Sequence, residues 1–140
     1  MTMLGMPLPS PTPTIDDAPF WHSCRERVLR FQRCAGCGRV RHPPGPGCPE
    51  CASLASNWVA AGDDAELFAF TVVRHAVSPA LVAFVPYTIA IVAFPSLDGV
   101  RLISNVTDVA PEDLQIGLRL MLDWQEAPNG IPLPRFRRKP

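Results

Sequence analysis

Residues 33–51 read RCAGCGRVRHPPGPGCPEC and hold four of the chain's five cysteines. They form two Cys-x-x-Cys pairs, Cys34 with Cys37 and Cys48 with Cys51, with ten residues between the pairs. A two-residue gap lets both sulfurs of a pair reach one ion, and four thiolates are the number that tetrahedral zinc requires. Because protein sulfur completes this shell and leaves no position for water, the pattern predicts one structural zinc per chain.

The segment between the pairs, GRVRHPPGPG, cannot form a helix because of its prolines and glycines. It predicts a short loop between two metal-binding turns, the layout of a zinc ribbon. Gly38 suits the left-handed conformation in which such a turn ends. Ala52 takes the equivalent place after the second pair, where the strain is on the order of 1 kcal/mol. A zinc site contributes roughly 10 kcal/mol, so we expect the site to tolerate Ala52.

Two other roles for the cysteines compete with zinc. Iron in a rubredoxin-type electron carrier uses the same four sulfurs and stays open as an alternative, whereas a redox dithiol needs only one pair.

The proline-rich start of the chain, Met1 to Thr14, lacks the charged end and apolar run of a secretory signal. We therefore expect residues 1–17 to be a disordered leader and the protein to be cytoplasmic, where clustered cysteines bind metal more often than they form disulfides.

The stretch DDAPFWHSCRERVLRFQR predicts an amino-terminal helix. Asp16 or Asp17 can cap it, a proline suits its first turn, and the apolar positions 20, 24, 28 and 31 fall on one helical face. On that face Cys24 is interpreted as a small apolar contact, with a nucleophilic role beside His22 or His75 as the alternative. His42, in the ribbon loop, is expected at the surface because four cysteines already complete the metal shell.

The remainder of the chain carries short β-type runs separated by turn signals. A Ser-Leu-Asp-Gly sequence at 96–99 predicts a hairpin turn, and residues 110–117 predict a single helical turn or tight loop. We therefore expect a mainly β protein: helix and zinc ribbon over 18–60, then a small antiparallel barrel of the OB type over 61–140 with a basic carboxy-terminal tail. A β-sandwich is the fallback. The predicted strands are Glu66–Val77, Tyr87–Phe94, Val100–Thr107 and Leu118–Glu126.

Charge and motifs restrict the function classes. The net charge is zero, and residues 61–134 carry three arginines against nine acidic residues. This charge distribution disfavours the alternative function, a nucleic-acid-binding zinc-ribbon and OB-fold module. The uncharged stretch 76–97 is interrupted by Pro79 and Pro86 and predicts two buried strands instead of a membrane span. The sequence also lacks a phosphate-binding glycine loop, a Gly-x-Ser-x-Gly elbow and a His-Glu-x-x-His motif.

Several segments together resemble one family. In order, they are FWHSCRERVLRFQRCAGCGRVRHPP, CPEC, LFAFTVVRHAV, VPYTIAIVAF, RLISNV, IGLRLMLDW and PLPRFRRKP. They are similar to acyl-CoA-associated proteins that join an amino-terminal helix, a rubredoxin-like zinc ribbon and a carboxy-terminal OB-fold. The similarity spans nearly everything after residue 17.

The resemblance implies a non-catalytic accessory subunit with Cys34, Cys37, Cys48 and Cys51 as metal ligands. Its implied partners are thiolase-like or lipid-transfer-protein-type enzymes and, in some members, hydratases of the hot-dog fold, with CoA or acyl-CoA shared with the partner. Arginine offers bidentate contacts to the phosphates of CoA. The best candidates for such contacts are Arg135, Arg137, Arg138 and Lys139. The alternative interpretation of these residues is a solubilising end of the chain.

Overall fold

The computed structural model describes residues 2–3, 6–7 and 9–140. It contains one eight-residue helix and ten strands, so the mainly β prediction is confirmed. None of the helices in the described ranges has the length and apolar character needed to cross a bilayer. The elements are β1 Thr2–Met3, β2 Met6–Pro7, α1 Ala18–Arg25, β3 Arg30–Cys34, β4 Val40–Arg41, β5 Ser56–Ala60, β6 Glu66–Val73, β7 Tyr87–Phe94, β8 Val100–Ser104, β9 Leu120–Glu126 and β10 Pro132–Arg138.

Helix α1 begins where predicted but ends earlier. Asp17 is its N-cap residue, but its carboxylate accepts no hydrogen bond from the first turn; it accepts instead from the amide and hydroxyl of Thr14 at 2.5 and 2.9 Å. The prediction that positions 28 and 31 continue the helical face is wrong: α1 ends at Arg25, Arg27 adopts φ 57° and the chain turns into β3. Ser23 holds this turn because its hydroxyl donates to the Val28 carbonyl at 2.6 Å.

The ribbon is a three-stranded antiparallel sheet in the order β4-β3-β5. Pairing of β3 with β5 places Cys34 opposite Ser56, at the end of the sheet from which the first metal-binding turn leaves. Gln32, on β3, holds the proline-rich loop because its side-chain amide both donates to the Gly45 carbonyl at 3.1 Å and accepts from the Gly45 amide at 2.9 Å. The predicted loop thus contains the short strand β4, and its remainder, residues 42–47, has a fixed course although it forms no strand or helix.

The barrel consists of the meander β6-β7-β8 and the hairpin β9-β10. The ladders do not form one continuous closed sheet. Two isolated bridges complete the ring, Glu66 with Arg119 between β6 and the start of β9, and Val106 with Phe136 between the segment after β8 and β10. The result is a small OB-like barrel, as predicted. Asp98 and Gly99 adopt left-handed conformations in the predicted hairpin turn between β7 and β8.

Strand boundaries differ from the sequence-based prediction at three places. β7 runs over Tyr87–Phe94 as predicted, whereas β6 ends at Val73 and β8 at Ser104, each before the predicted end, and β9 begins at Leu120 instead of Leu118. The predicted basic tail is instead the last strand, β10, which pairs with β9 along its whole length. Its buried residues alternate with outward ones, and the inward positions are Pro132, Pro134 and Phe136.

One hydrophobic core joins the ribbon to the barrel. Phe31 of the ribbon packs against Phe94 of the barrel with ring centroids 5.1 Å apart, and Phe94 packs against Phe136 at 6.1 Å. The surface position expected for His42 is wrong, because its ring lies 5.0 Å from that of Phe20 and 5.5 Å from that of Phe31. Burial lowers the pKa of His42 to about 4, so this ring is neutral near pH 7.

The disordered leader expected over residues 1–17 falls partly on residues 1, 4, 5 and 8, which lie outside the described residues, and it stays a prediction. Residues 9–14 have no regular secondary structure. They nevertheless contact the barrel, because Asn129 donates a hydrogen bond from its side chain to the Pro11 carbonyl at 3.0 Å.

Candidate metal centre

The four predicted ligands meet at one point. The sulfurs of Cys34, Cys37, Cys48 and Cys51 all lie within 4.8 Å of one another. Across the two pairs, the Cys34 and Cys51 sulfurs are 3.5 Å apart and the Cys37 and Cys48 sulfurs 3.6 Å. A regular tetrahedron with zinc–sulfur bonds of about 2.3 Å has edges of about 3.8 Å. The cluster therefore fits a single tetrahedral ion, and all four cysteines are free of disulfides.

The two metal-binding turns have the same construction. Gly38 donates its amide to the Cys34 carbonyl at 2.9 Å, and Ala52 donates to the Cys48 carbonyl at 2.8 Å. Both turns end in a left-handed residue, with φ 80° at Gly38 and 63° at Ala52. Each turn thus points its two sulfurs to the same side, and the predicted left-handed strain at Ala52 is present.

Backbone amides of the turns favour the thiolate form that binds metal. The amides of Cys37 and Gly36 point at the Cys34 sulfur; the Cys37 amide, followed by the Cys51 side chain and the Gly36 amide, lowers the pKa of Cys34 to about 6. The amides of Cys51 and Glu50 lower the pKa of Cys48 in the second turn. Backbone amides thus favour the thiolate at Cys34 and Cys48, whereas at Cys37 the Arg39 amide is outweighed by burial and the neighbouring sulfurs, which raise the pKa of Cys37 to about 11.

Ala52→Gly is expected to stabilise the zinc-loaded protein by about 0.5–1 kcal/mol, because glycine adopts φ 63° without the clash that an alanine Cβ causes. The matched control is Ala60→Gly, an exposed alanine on β5, where extended backbone gives glycine no advantage. Urea unfolding of the two variants should give shifts of opposite sign. Destabilisation by Ala52→Gly would show that the second turn is unstrained.

Two residues that the sequence did not single out position the centre. Besides Gln32, the Asp98 carboxylate in the barrel's hairpin turn accepts a hydrogen bond from the Val40 amide of the ribbon at 3.0 Å. The turn sequence at 96–99 predicted the backbone geometry, but no local pattern indicated that its aspartate reaches a strand 58 residues earlier. This bond fixes the ribbon against the barrel.

Cys24 lies apart from the metal centre in the core. It is fully buried on α1, and burial raises its pKa to about 12. A thiol with this pKa is protonated near pH 7, and its burial makes it inaccessible to a substrate. Both features agree with the interpretation of Cys24 as a small apolar contact. Of the two histidines that a nucleophilic Cys24 would need as partner, His22 lies beside Glu26 at 3.1 Å with a largely exposed side chain, and His75 is exposed in the loop after β6.

The four basic candidates for CoA contacts belong to the end of the barrel. Arg135 is half-buried and its Nε donates to the Gln125 side chain at 3.1 Å. Arg137 and Arg138 are exposed at the end of β10. Lys139 lies 3.6 Å from the Asp63 carboxylate and donates to the Asp63 carbonyl at 2.9 Å. The structure therefore spreads these cations along a strand, with Lys139 already paired.

Comparison with known proteins agrees with this architecture. The family model described as "ChsH2, rubredoxin-like zinc ribbon domain" matches residues 21–55, and the one described as "ChsH2, C-terminal OB-fold domain" matches residues 58–125. A solved chain described as "Ltp2-ChsH2(DUF35) aldolase" is 36% identical, with a TM-score of 0.82. The similarity covers 92% of this chain and 98% of that one.

Two curated relatives carry different descriptions. A "Probable enoyl-CoA hydratase alpha subunit" of Thermomonospora curvata is 37% identical over 129 residues, which are 92% of this chain and 39% of the relative. The chain thus spans about two fifths of that relative's length. A "DUF35 domain-containing scaffold protein" of Methanocaldococcus jannaschii is 28% identical over 102 residues, which are 71% of this chain and 70% of the relative.

Proposed function

From the chain's membership of the ChsH2 (DUF35) family of zinc-ribbon and OB-fold proteins, which the comparisons show, we propose that it is a non-catalytic accessory subunit. Its partner is a thiolase-like enzyme of the lipid-transfer-protein type that acts on an acyl-CoA. The observation that carries the proposal is the match to almost the whole of the "Ltp2-ChsH2(DUF35) aldolase" chain at 36% identity. The hydratase-subunit relative makes a hot-dog-fold hydratase a further candidate partner.

The chemistry of the described residues supports a structural role. One zinc held by Cys34, Cys37, Cys48 and Cys51 would have no open coordination position for water or substrate. When bound, zinc supplies a rigid crosslink between the two turns and takes no part in a reaction. The remaining thiol, Cys24, is buried and protonated. These features suit a protein that acts by binding an enzyme through its surface. Free cysteines suit a reducing compartment such as the cytoplasm.

The proposal extends to CoA through the basic end of β10. Arg137 and Arg138 are exposed and Arg135 is half-buried, whereas the Lys139 ammonium is engaged by Asp63. Guanidinium groups suit the phosphates of a CoA thioester shared with the partner. The two exposed arginines are therefore the sharper candidates for contacts with the 3'-phosphate and pyrophosphate.

The test is coexpression with a thiolase-like enzyme of the lipid-transfer-protein type from the same genome. The zinc-loaded chain should copurify with the enzyme and raise its solubility or activity, and should not turn over an acyl-CoA alone. Arg137→Ala with Arg138→Ala should weaken acyl-CoA binding by the complex several-fold, whereas Arg74→Ala, in the loop after β6, should not. Turnover of a thioester by the isolated chain, or failure to form a complex, would contradict the proposal.

A further inference from the structure

The outward face of the meander β6-β7-β8 is apolar. Along β7 the buried residues Ala90 and Val92 point into the barrel, so Ile89 and Ile91 point outward. Ile91 pairs directly with Ile103 of β8, and Ile103 is 73% exposed. An antiparallel sheet with one face in water normally carries polar residues on that face. The outward isoleucines instead leave an apolar face on the outside of the barrel.

Phe68 and Arg101 extend this apolar face toward the start of β6. A β-bulge between Leu67 and Ala69 makes Phe68 an extra residue that stands outward, with 42% of its surface exposed. The Arg101 guanidinium on β8 lies over the Phe68 ring, 3.8 Å from its centroid. Arg101 forms no ion pair within the described residues, so its charge remains available to a partner.

A cavity of about 620 Å³ adjoins the face where the barrel meets α1. Its barrel wall includes outward residues of three strands, Ile91, Arg101, Ile103, Leu133 and Arg135. Trp21 borders the cavity from α1. Aromatic and arginine side chains are enriched in protein–protein contacts and contribute much of their binding energy. An apolar face beside a cavity lined by such side chains therefore has the composition of a protein-docking surface.

The charges around the face favour a different protein over a second copy of this chain. Each copy contributes the same patch to a two-fold contact, so a second copy would bring further arginines to the face. The one acidic residue of β6, β7 and β8 is Glu66, which lies two strands away from Arg101. Asp16 and Asp17 belong to the α1 side of the cavity. A partner with a carboxylate at the matching position gains a charge-assisted contact with Arg101.

We propose that the outward face of β7 and β8, together with the cavity beside α1, is the surface through which the chain docks onto its thiolase-like partner enzyme. The identity of the partner rests on the proposed function. The matching enzyme surface is apolar, inserts a large side chain into the cavity and sets a carboxylate against Arg101. The outward residues of β10 continue from Leu133 and Arg135 to Arg137. An enzyme docked on this face therefore also lies beside an arginine proposed to contact the shared CoA.

Two exposed isoleucines provide a matched pair for the test. Ile103, on the face, is 73% exposed and Ile116, in the segment before β9, is 64% exposed, so aspartate at either position leaves the core intact. Ile103→Thr keeps a β-branched side chain, as at Thr71 on the same face, and so removes apolar surface without loss of strand propensity. The thiolase-like enzyme is tagged and coexpressed with each variant, and the amount of zinc-loaded chain retained per enzyme is measured.

Ile103→Asp is expected to reduce the retained chain by about tenfold or more and Ile103→Thr several-fold, whereas Ile116→Asp should be retained like the unaltered chain. Arg101→Glu should reduce retention about tenfold, and the matched Arg74→Glu, in the loop after β6, should not. Each variant should keep one zinc and melt within a few degrees of the unaltered chain. The losses then arise at the contact with the enzyme and not from unfolding.

Three outcomes would contradict the proposal in different ways. Equal retention of Ile103→Asp and Ile116→Asp would overturn the assignment of the face and leave the proposed function in place. Failure of the unaltered chain to copurify would refute the proposed function and, with it, the partner named for this face. Sedimentation that shows the unaltered chain as a dimer and Ile103→Asp as a monomer would assign the face to a second copy instead.

Discussion

Cys48→Ser is expected to yield a chain without bound metal that is largely unfolded in its ribbon at room temperature. Cys48 is buried, and its sulfur lies 3.6 Å from that of Cys37 on the other turn. Removing one thiolate leaves three ligands for an ion that requires four. A structural zinc contributes roughly 10 kcal/mol, while a whole domain is stable by only about 5–15 kcal/mol. Metal analysis and thermal unfolding by circular dichroism measure the two effects.

The matched control is Cys24→Ala, which removes a cysteine that is as deeply buried but lies in the core beside α1. This variant should keep its metal and lose roughly 1 kcal/mol, because only a small apolar contact disappears. The same metal analysis distinguishes zinc from the iron of a rubredoxin-type carrier. A Cys48→Ser protein that retains one ion per chain and melts within a few degrees of the unaltered protein would contradict the four-sulfur site.

The metal centre could be predicted from sequence because its determinants are local. Each pair of cysteines lies within one turn, and each turn ends in a residue whose left-handed conformation follows from the same two-residue spacing. The sequence therefore identified Gly38 and Ala52 as equivalent positions, and the structure confirms both. Gln32 and Asp98 escaped prediction because their partners, Gly45 and Val40, lie 13 and 58 residues away along the chain.

Two wrongly predicted segments show where tertiary contacts override the local sequence pattern. Positions 28 and 31 continue the helical spacing of positions 20 and 24, but α1 ends at Arg25 and pairing with β5 places Phe31 on a strand. In residues 132–138 the buried positions do alternate, yet two of them are prolines, which count against a strand, and the arginines between them suggest a solvated tail. Both errors left the predicted fold class unchanged because the other strands and turns already indicated a small barrel.

Phe31→Ala is expected to lower the free energy of unfolding by about 3–5 kcal/mol, the largest effect of any single core substitution proposed for this chain. Phe31 is fully buried, and its ring contacts Phe94 of the barrel at 5.1 Å and His42 of the ribbon loop at 5.5 Å. An alanine there leaves a cavity where the ribbon meets the barrel. Urea unfolding followed by circular dichroism measures the loss.

A matched control is Phe68→Ala, which truncates a phenylalanine with 42% of its surface exposed, beneath the Arg101 guanidinium at 3.8 Å. Its expected cost is about 1 kcal/mol, since a partly exposed ring and a cation–π contact are all that is lost. Phe31→Ala leaves the four metal ligands in place, so this variant should keep its zinc while losing stability. If Phe31→Ala costs no more than Phe68→Ala, the ribbon and the barrel do not share a core. A large loss with zinc retained would show that packing through Phe31, Phe94 and Phe136, and not the metal alone, holds the ribbon in position to present a joint surface to a partner.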